Sequence, residues 1–178
     1  MESAINKVLA RKINSLAVKD QQMRKNWGKK GLWDKSVDQR NTRILKKIIK
    51  EYGWPARGLV GKKASFNAWL LAQHADHDIR FQKRVLKLME VLYRNNPKDI
   101  DKKNIAFITD RILVHEGKKQ IFGTQFYKTK DGKLEPNLIS GRKNLNKRRK
   151  EYNLPPFKEY EKAMRQYNRM PTTNKKPA

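Results

Sequence analysis

Two of the chain's three histidines fall in the run Gln73-His74-Ala75-Asp76-His77-Asp78, where imidazoles alternate with carboxylates. A neutral imidazole oriented by a carboxylate accepts and returns protons near neutral pH, which makes His74 a candidate general base. Asp76, Asp78 or Asp110 is the candidate orienting acid. Arg111 or Arg24 offers fixed positive charge for a phosphate or carboxylate group. The expected catalytic set is His74, Asp76, Asp110 and Arg111, and the chemistry it permits is hydrolysis or group transfer at an anionic substrate. If 64–78 is one helix, His74 and His77 (i,i+3) and His74 and Asp78 (i,i+4) share a side, as metal ligands often do. No His-Glu-x-x-His pattern accompanies them, so no metal is expected. Neither a phosphate-loop pattern nor a Gly-x-Gly-x-x-Gly fingerprint is present, and no cofactor is assigned.

Other polar residues interrupt apolar stripes. Asp20 stands one turn after Leu16, where an apolar residue is due, with Arg24 following at the spacing of an intrahelical ion pair. Asn41 lies one turn after Val37 and three residues before Ile44. Burying such groups unpaired costs a few kcal/mol each, so they should meet one another or a ligand. Asp20, Arg24, Asn41, Gln73, His77, Thr124 and Gln125 are the expected ligand-binding residues, with His74 and Asp110 facing a common pocket. The competing use of the same residues is a satisfied polar network that fixes helix register.

The elements that must position these groups follow from hydrophobic spacing. Ile5, Val8, Leu9, Ile13, Leu16, Met23 and Trp27 recur at three- and four-residue steps, predicting a long helix ending near Gly28. A second helix over 36–52 buries Val37, Ile44, Leu45, Ile48 and Ile49 and ends on Gly53. Residues 56–63, with two glycines, read as a loop anchored by Leu59 and Val60. The helix over 64–78 follows, with Phe66, Leu70, His77 and Phe81 near one face, and its pattern continues to Arg94 past a break at 78–79. A further helix spans 102–115. The period then shortens, and Asp131-Gly132 at a two-residue turn predicts a β-hairpin over 120–139, with Pro136 on an edge strand. A short helix through Tyr160, Met164 and Tyr167 follows. The expected architecture is mostly α: a single-domain helical bundle over 1–168 with one hairpin toward the C-terminal third, and a disordered basic tail over 169–178.

Composition sets the range of partners. The 178 residues, 37% of them hydrophobic, are enough for one core. Without cysteine there is no disulfide framework, thiolate nucleophile or cysteine-ligated zinc. The early residues contain no continuous apolar core, so neither a signal peptide nor a transmembrane segment is expected, and a cytoplasmic site of action follows. Forty-three basic against 17 acidic residues give a net charge of +26. A field of that sign concentrates polyanions, so an anionic small molecule or nucleic acid is the expected partner. Arg142, Lys143, Lys147, Arg148, Arg149 and Lys150 form the densest basic segment and the expected nucleic-acid contact. A non-catalytic nucleic-acid-binding protein using that surface is the alternative to an enzyme.

Several motifs in fixed order carry a resemblance: Gly53-Trp54-Pro55; Ala68-Trp69-Leu70-Leu71-Ala72-Gln73-His74-Ala75-Asp76-His77-Asp78; Thr109-Asp110-Arg111-Ile112-Leu113-Val114; Glu116-Gly117; and Gln120-Ile121-Phe122-Gly123-Thr124-Gln125-Phe126. From about Asp20 to Tyr160 the chain resembles a bacterial family known only as a domain of unknown function. The resemblance implies no catalytic residue, so the chemistry rests on the residues themselves. Phe122 stands where that family usually has a tyrosine, which excludes a phenol hydroxyl from any mechanism at this place. Members of the family are often far less basic.

Overall fold

A computed structural model of the chain describes residues 4–30 and 33–169. The tail expected over 169–178 lies outside the described residues except for the backbone of Arg169, as do the side chains of Trp27 and Tyr167. Among the described residues, seven α-helices and one two-stranded antiparallel hairpin make the fold mostly α. The chain divides into two compact units, Met1–Asp101 and Lys102–Ala178.

The first unit contains α1 (Lys7–Lys30), α2 (Lys35–Tyr52), α3 (Arg57–Gln73) and α4 (Ile79–Asn95). Helix α3 is its centre and packs against the other three. The sequence explains the position: Ala68, Trp69, Leu70, Leu71 and Ala72 are all buried, and five consecutive residues go fully round the helix. A helical segment apolar all round has no solvent side to spare and is buried. Leu9, Ile13, Leu16 and Met23 of α1 fill the core against it, whereas Ile5 and Val8 are exposed. On α2 the buried face is rotated from the expected one. Leu45, Ile48 and Ile49 share it with Asp38, Asn41 and Thr42, while Val37 and Ile44 are only half-buried.

Two boundaries differ from expectation, each for a local reason. The stretch 56–63, expected as a loop, instead caps and begins α3, because Asp99 accepts a hydrogen bond from the Gly58 amide (2.8 Å) and satisfies a free helix-start donor. The helix breaks at Gly61, whose φ of 78° and ψ of 164° only glycine adopts cheaply. Further on, the helix expected over 64–78 ends at Gln73. Asp78 caps the next helix by accepting from the Phe81 amide (2.9 Å). Gln82 Nε2, fully buried on α4, donates to the carbonyls of Ala72 and Gln73 at 3.3 and 3.1 Å. Residues 74–78 are therefore a turn, so the helical spacing that would align His74, His77 and Asp78 does not exist. Leu70 and Phe81 are buried as expected, but Phe66 and His77 are exposed.

The second unit contains α5 (Lys102–His115), β1 (Phe126–Lys128), β2 (Leu134–Pro136), a 3-10 turn (Arg142–Asn144), α6 (Leu145–Glu151) and α7 (Phe157–Arg169). Ala106, Phe122 and Leu154 form a core, with Phe107, Ile121 and Tyr152 packed on it. Phe126 pairs with Pro136 and Lys128 with Leu134 in the hairpin. Its turn holds three residues, not two. Thr129 accepts from the Gly132 amide (2.9 Å), and Gly132 at φ 82° carries the left-handed step that returns the chain.

Candidate functional site

Asp20, fully buried on α1, anchors the polar cluster of the first unit. Its carboxylate oxygens lie 3.0 and 2.9 Å from Nδ1 of His74, the residue that caps the end of α3. Arg24, one turn along α1, places Nε 3.3 Å from Asp20 Oδ2 and 2.9 Å from the same His74 nitrogen. One ring nitrogen cannot donate to the carboxylate and accept from the guanidinium at once. The buried carboxylate decides the tautomer, since an unprotonated Nδ1 facing two carboxylate oxygens would set acceptor against acceptor. His74 therefore carries its proton on Nδ1 and donates to Asp20, and the Arg24 Nε–H is directed to Asp20 Oδ2. In the neutral ring the basic lone pair is then on Nε2.

Asp38 completes the cluster. Its Oδ1 accepts from Arg24 Nη2 at 2.7 Å, so one guanidinium bridges α1 and α2. The Trp33 ring lies 4.8 Å below the same guanidinium. Burial pushes the Asp38 carboxyl up to about 6; Arg24 opposes the shift, and the charges of Asp20 and Asp76 add to it. Asp20 moves the other way. Burial raises it, but the hydrogen bond and charge of His74, joined by Arg24, outweigh that and hold it below the ordinary carboxylate value. One carboxylate is thus kept ionised while its neighbour is poised to take a proton. That separation of roles is what acid–base chemistry requires.

The other candidates of this unit take distinct places. Asp76 is half-buried and accepts from Gln82 Nε2 at 3.2 Å. Asp78 pairs with Lys46 in addition to capping α4. Asn41 and Gln73 are 3% and 5% exposed, and Asn41 Nδ2 and Gln73 Oε1 have no hydrogen-bond partner among the described residues. Each such atom costs on the order of 1–3 kcal/mol. Among the described residues no three of His, Asp and Glu are grouped to hold a metal ion.

Asp110 belongs to the second unit, where its neighbours are backbone. Oδ1 accepts from the amides of Ile121 (2.8 Å) and Phe122 (3.0 Å), and Oδ2 from the amide and hydroxyl of Thr124, both at 2.9 Å. Burial raises this carboxyl, against the loop amides and the Thr124 hydroxyl, which lower it. From the other side Arg149, 0% exposed, donates to the Phe122 and Pro155 carbonyls at 2.5 and 2.7 Å. Gln120 bridges the ends of the same loop by donating to the Gln125 and Asn137 carbonyls. Gln125 accepts from Arg111 at 3.3 Å. The segment 120–125 is thus a loop held between a buried acid and a buried base, and Thr124 is one of its clasps.

His74 and Asp110 lie in different units, and the carboxylate that orients His74 is Asp20. Asp38 escaped sequence reasoning because an acid in a helix's first turn is the ordinary complement to the dipole. Its one available signal is the three-residue step to Asn41. Arg149 was expected on the surface and is corrected here. Its guanidinium is used on carbonyls inside the unit, as is that of Arg148, which donates to Ile121, Ser140 and Gly141. No curated protein and no solved structure matches the chain. With these motifs placed, the sequence profile of one family covers residues 8–169, and the chain belongs to that family of unknown function, DUF6624.

Proposed function

We propose that the first unit is an acid–base enzyme of the hydrolase or transferase type acting on an anionic substrate. The observation that carries the reading is the His74 Nδ1 to Asp20 contact at 2.9 Å, with Asp20 fully buried and the His74 side chain 14% exposed. Asp20 fixes the tautomer and stabilises the imidazolium that forms when Nε2 takes a proton. Arg24 is already shared between Asp20 and Asp38, so an incoming phosphate or carboxylate must replace one of them. Asp38 is the replaceable partner, since its carboxyl titrates near 6 and can leave the guanidinium as a neutral acid. The chain's charge of +26 supports an anionic substrate by raising its local concentration.

The test is turnover of a panel of phosphate and carboxylate esters, nucleotides included, with products read by mass spectrometry. His74→Asn should abolish turnover while the far-ultraviolet circular dichroism spectrum and melting temperature stay close to those of the parent. Asp20→Asn should lower kcat more than it raises KM. Turnover by His74→Asn within twofold of the parent would refute the reading.

A further inference from the structure

The second unit carries a row of cations that its own acids leave unneutralised. Between Glu135 and Glu151 the sequence has no acidic residue. Its six basic side chains divide by direction. Arg148 and Arg149 turn inward, and their hydrogen bonds to the carbonyls of Ile121, Ser140, Gly141, Phe122 and Pro155 fix the segment to the 120–125 loop. Arg142, Lys143, Lys147 and Lys150 are exposed. Lys147 and Lys150 stand at i and i+3 on α6, neighbours on its surface, and Lys143 lies in the 3-10 turn that leads into it. Among the described residues none of these four pairs with a carboxylate. Elsewhere in the unit Lys118 meets Glu116, Lys133 meets Asp131, and Arg165 meets Glu135 and Glu161, while Lys119, Lys128, Lys130 and Lys158 likewise have no carboxylate partner among the described residues; what sets the row apart is its density in a stretch without acids.

We infer that this row binds the phosphodiester backbone of nucleic acid. Three residues of helix rise about 4.5 Å and the long lysine side chains extend that span, so Lys147 and Lys150, with Lys143 in the turn before them, can each meet a different phosphate. A lipid surface of the same charge fits less well, because membrane-binding helices set large apolar side chains beside their cations. Among the described residues, the large apolar side chains exposed in this unit are Tyr127 and Leu138, and none lies between 141 and 151. Contact of these cations with phosphates alone carries no base recognition, so affinity should not depend on sequence.

The experiment is a fluorescence-anisotropy titration of the full chain with labelled duplex DNA and RNA of mixed sequence at several salt concentrations. Four phosphate contacts predict a log K against log salt slope near −3.6, and a loss of roughly a hundredfold between 50 and 200 mM salt. Replacing Lys143, Lys147 and Lys150 together by Gln should flatten the slope by about 2.7, with the circular dichroism spectrum unchanged. Replacing Lys118, Lys128 and Lys133 by Gln should change it far less. Equal losses in the two triple variants would assign the affinity to diffuse charge and overturn the site. So would absence of salt-dependent binding to either duplex, or binding to phosphatidylserine vesicles that exceeds binding to nucleic acid.

Discussion

Asp38 Oδ1 lies 2.7 Å from Nη2 of Arg24, yet its carboxyl is displaced upward, to about 6. Attraction to one guanidinium is outweighed by burial together with two further carboxylates, Asp20 and Asp76. An ion pair that would hold a lone carboxylate firmly ionised is here close to balance.

That balance has a sign in the stability profile. The folded chain keeps the Asp38 proton up to about pH 6, whereas the carboxyl has an ordinary value of 3.8. The stabilisation is complete below 3.8 and is lost as pH rises through 6; two units correspond to at most about 3 kcal/mol. Thermal melts across this window should fall with pH in the parent relative to Asp38→Asn. Parallel profiles would show that Asp38 does not titrate there. Asp20, displaced downward, contributes the opposite way: its stabilisation is present above 3.8 and is lost as pH falls through its lowered value.

If an anion replaces Asp38 on Arg24, binding should carry a proton with it. Calorimetric titration with sulfate, an anion that does not itself titrate near pH 7, repeated in buffers of different ionisation enthalpy, should give an uptake approaching one proton. In Asp38→Asn that uptake should vanish.

Asp20 should govern the tautomer of His74. In the parent, nitrogen chemical shifts should show His74 protonated on Nδ1 when neutral. Asp20→Asn removes the buried acceptor charge that selects this form. It should mix the tautomers and cost about 3 kcal/mol by denaturant unfolding, the scale of breaking a buried charge pair.

In the second unit, Asp110→Ala leaves the Ile121, Phe122 and Thr124 amides without their acceptor. A loss of about 3–5 kcal/mol and faster hydrogen exchange at those three amides are expected. Exchange unchanged from the parent would mean the loop holds itself.

Gly123→Ala tests the same loop from its backbone. Gly123 has φ 69°, and a Cβ there would lie 2.8 Å from the Phe157 ring. Strain and overpacking together should cost upward of 2 kcal/mol. Gly117→Ala, at φ 70° with nothing within 4 Å of the added carbon, should cost only about 1 kcal/mol.

What the sequence made legible depended on whether a residue's neighbours in the chain are also its neighbours in space. Helix α5 runs over the predicted 102–115, and Gly53 ends α2 by returning its amide to the Ile49 carbonyl, because period and cap are local signals. Asp20 was conspicuous because it interrupts an apolar stripe. Asp38 and Arg149 were not, since each occupies a place where a charge is ordinary, one at a helix start and one in a basic run. Their burial depends on partners far along the chain: Arg24 for the first, the carbonyls of Phe122 and Pro155 for the second. The turn after Gln73 was hidden for a similar reason. It is imposed by Gln82, an amide on the following helix that a periodic pattern reads as a mere gap.

That amide also separates shape from charge. The backbone that presents His74 is held through the Ala72 and Gln73 carbonyls by Gln82, a side chain that neither gains nor loses a proton. Its 3.2 Å contact to Asp76 joins that clasp to a group that titrates, whereas the two carbonyls it holds have no proton to exchange. The carbonyl part of the support is therefore the same whether or not the neighbouring carboxylates are ionised.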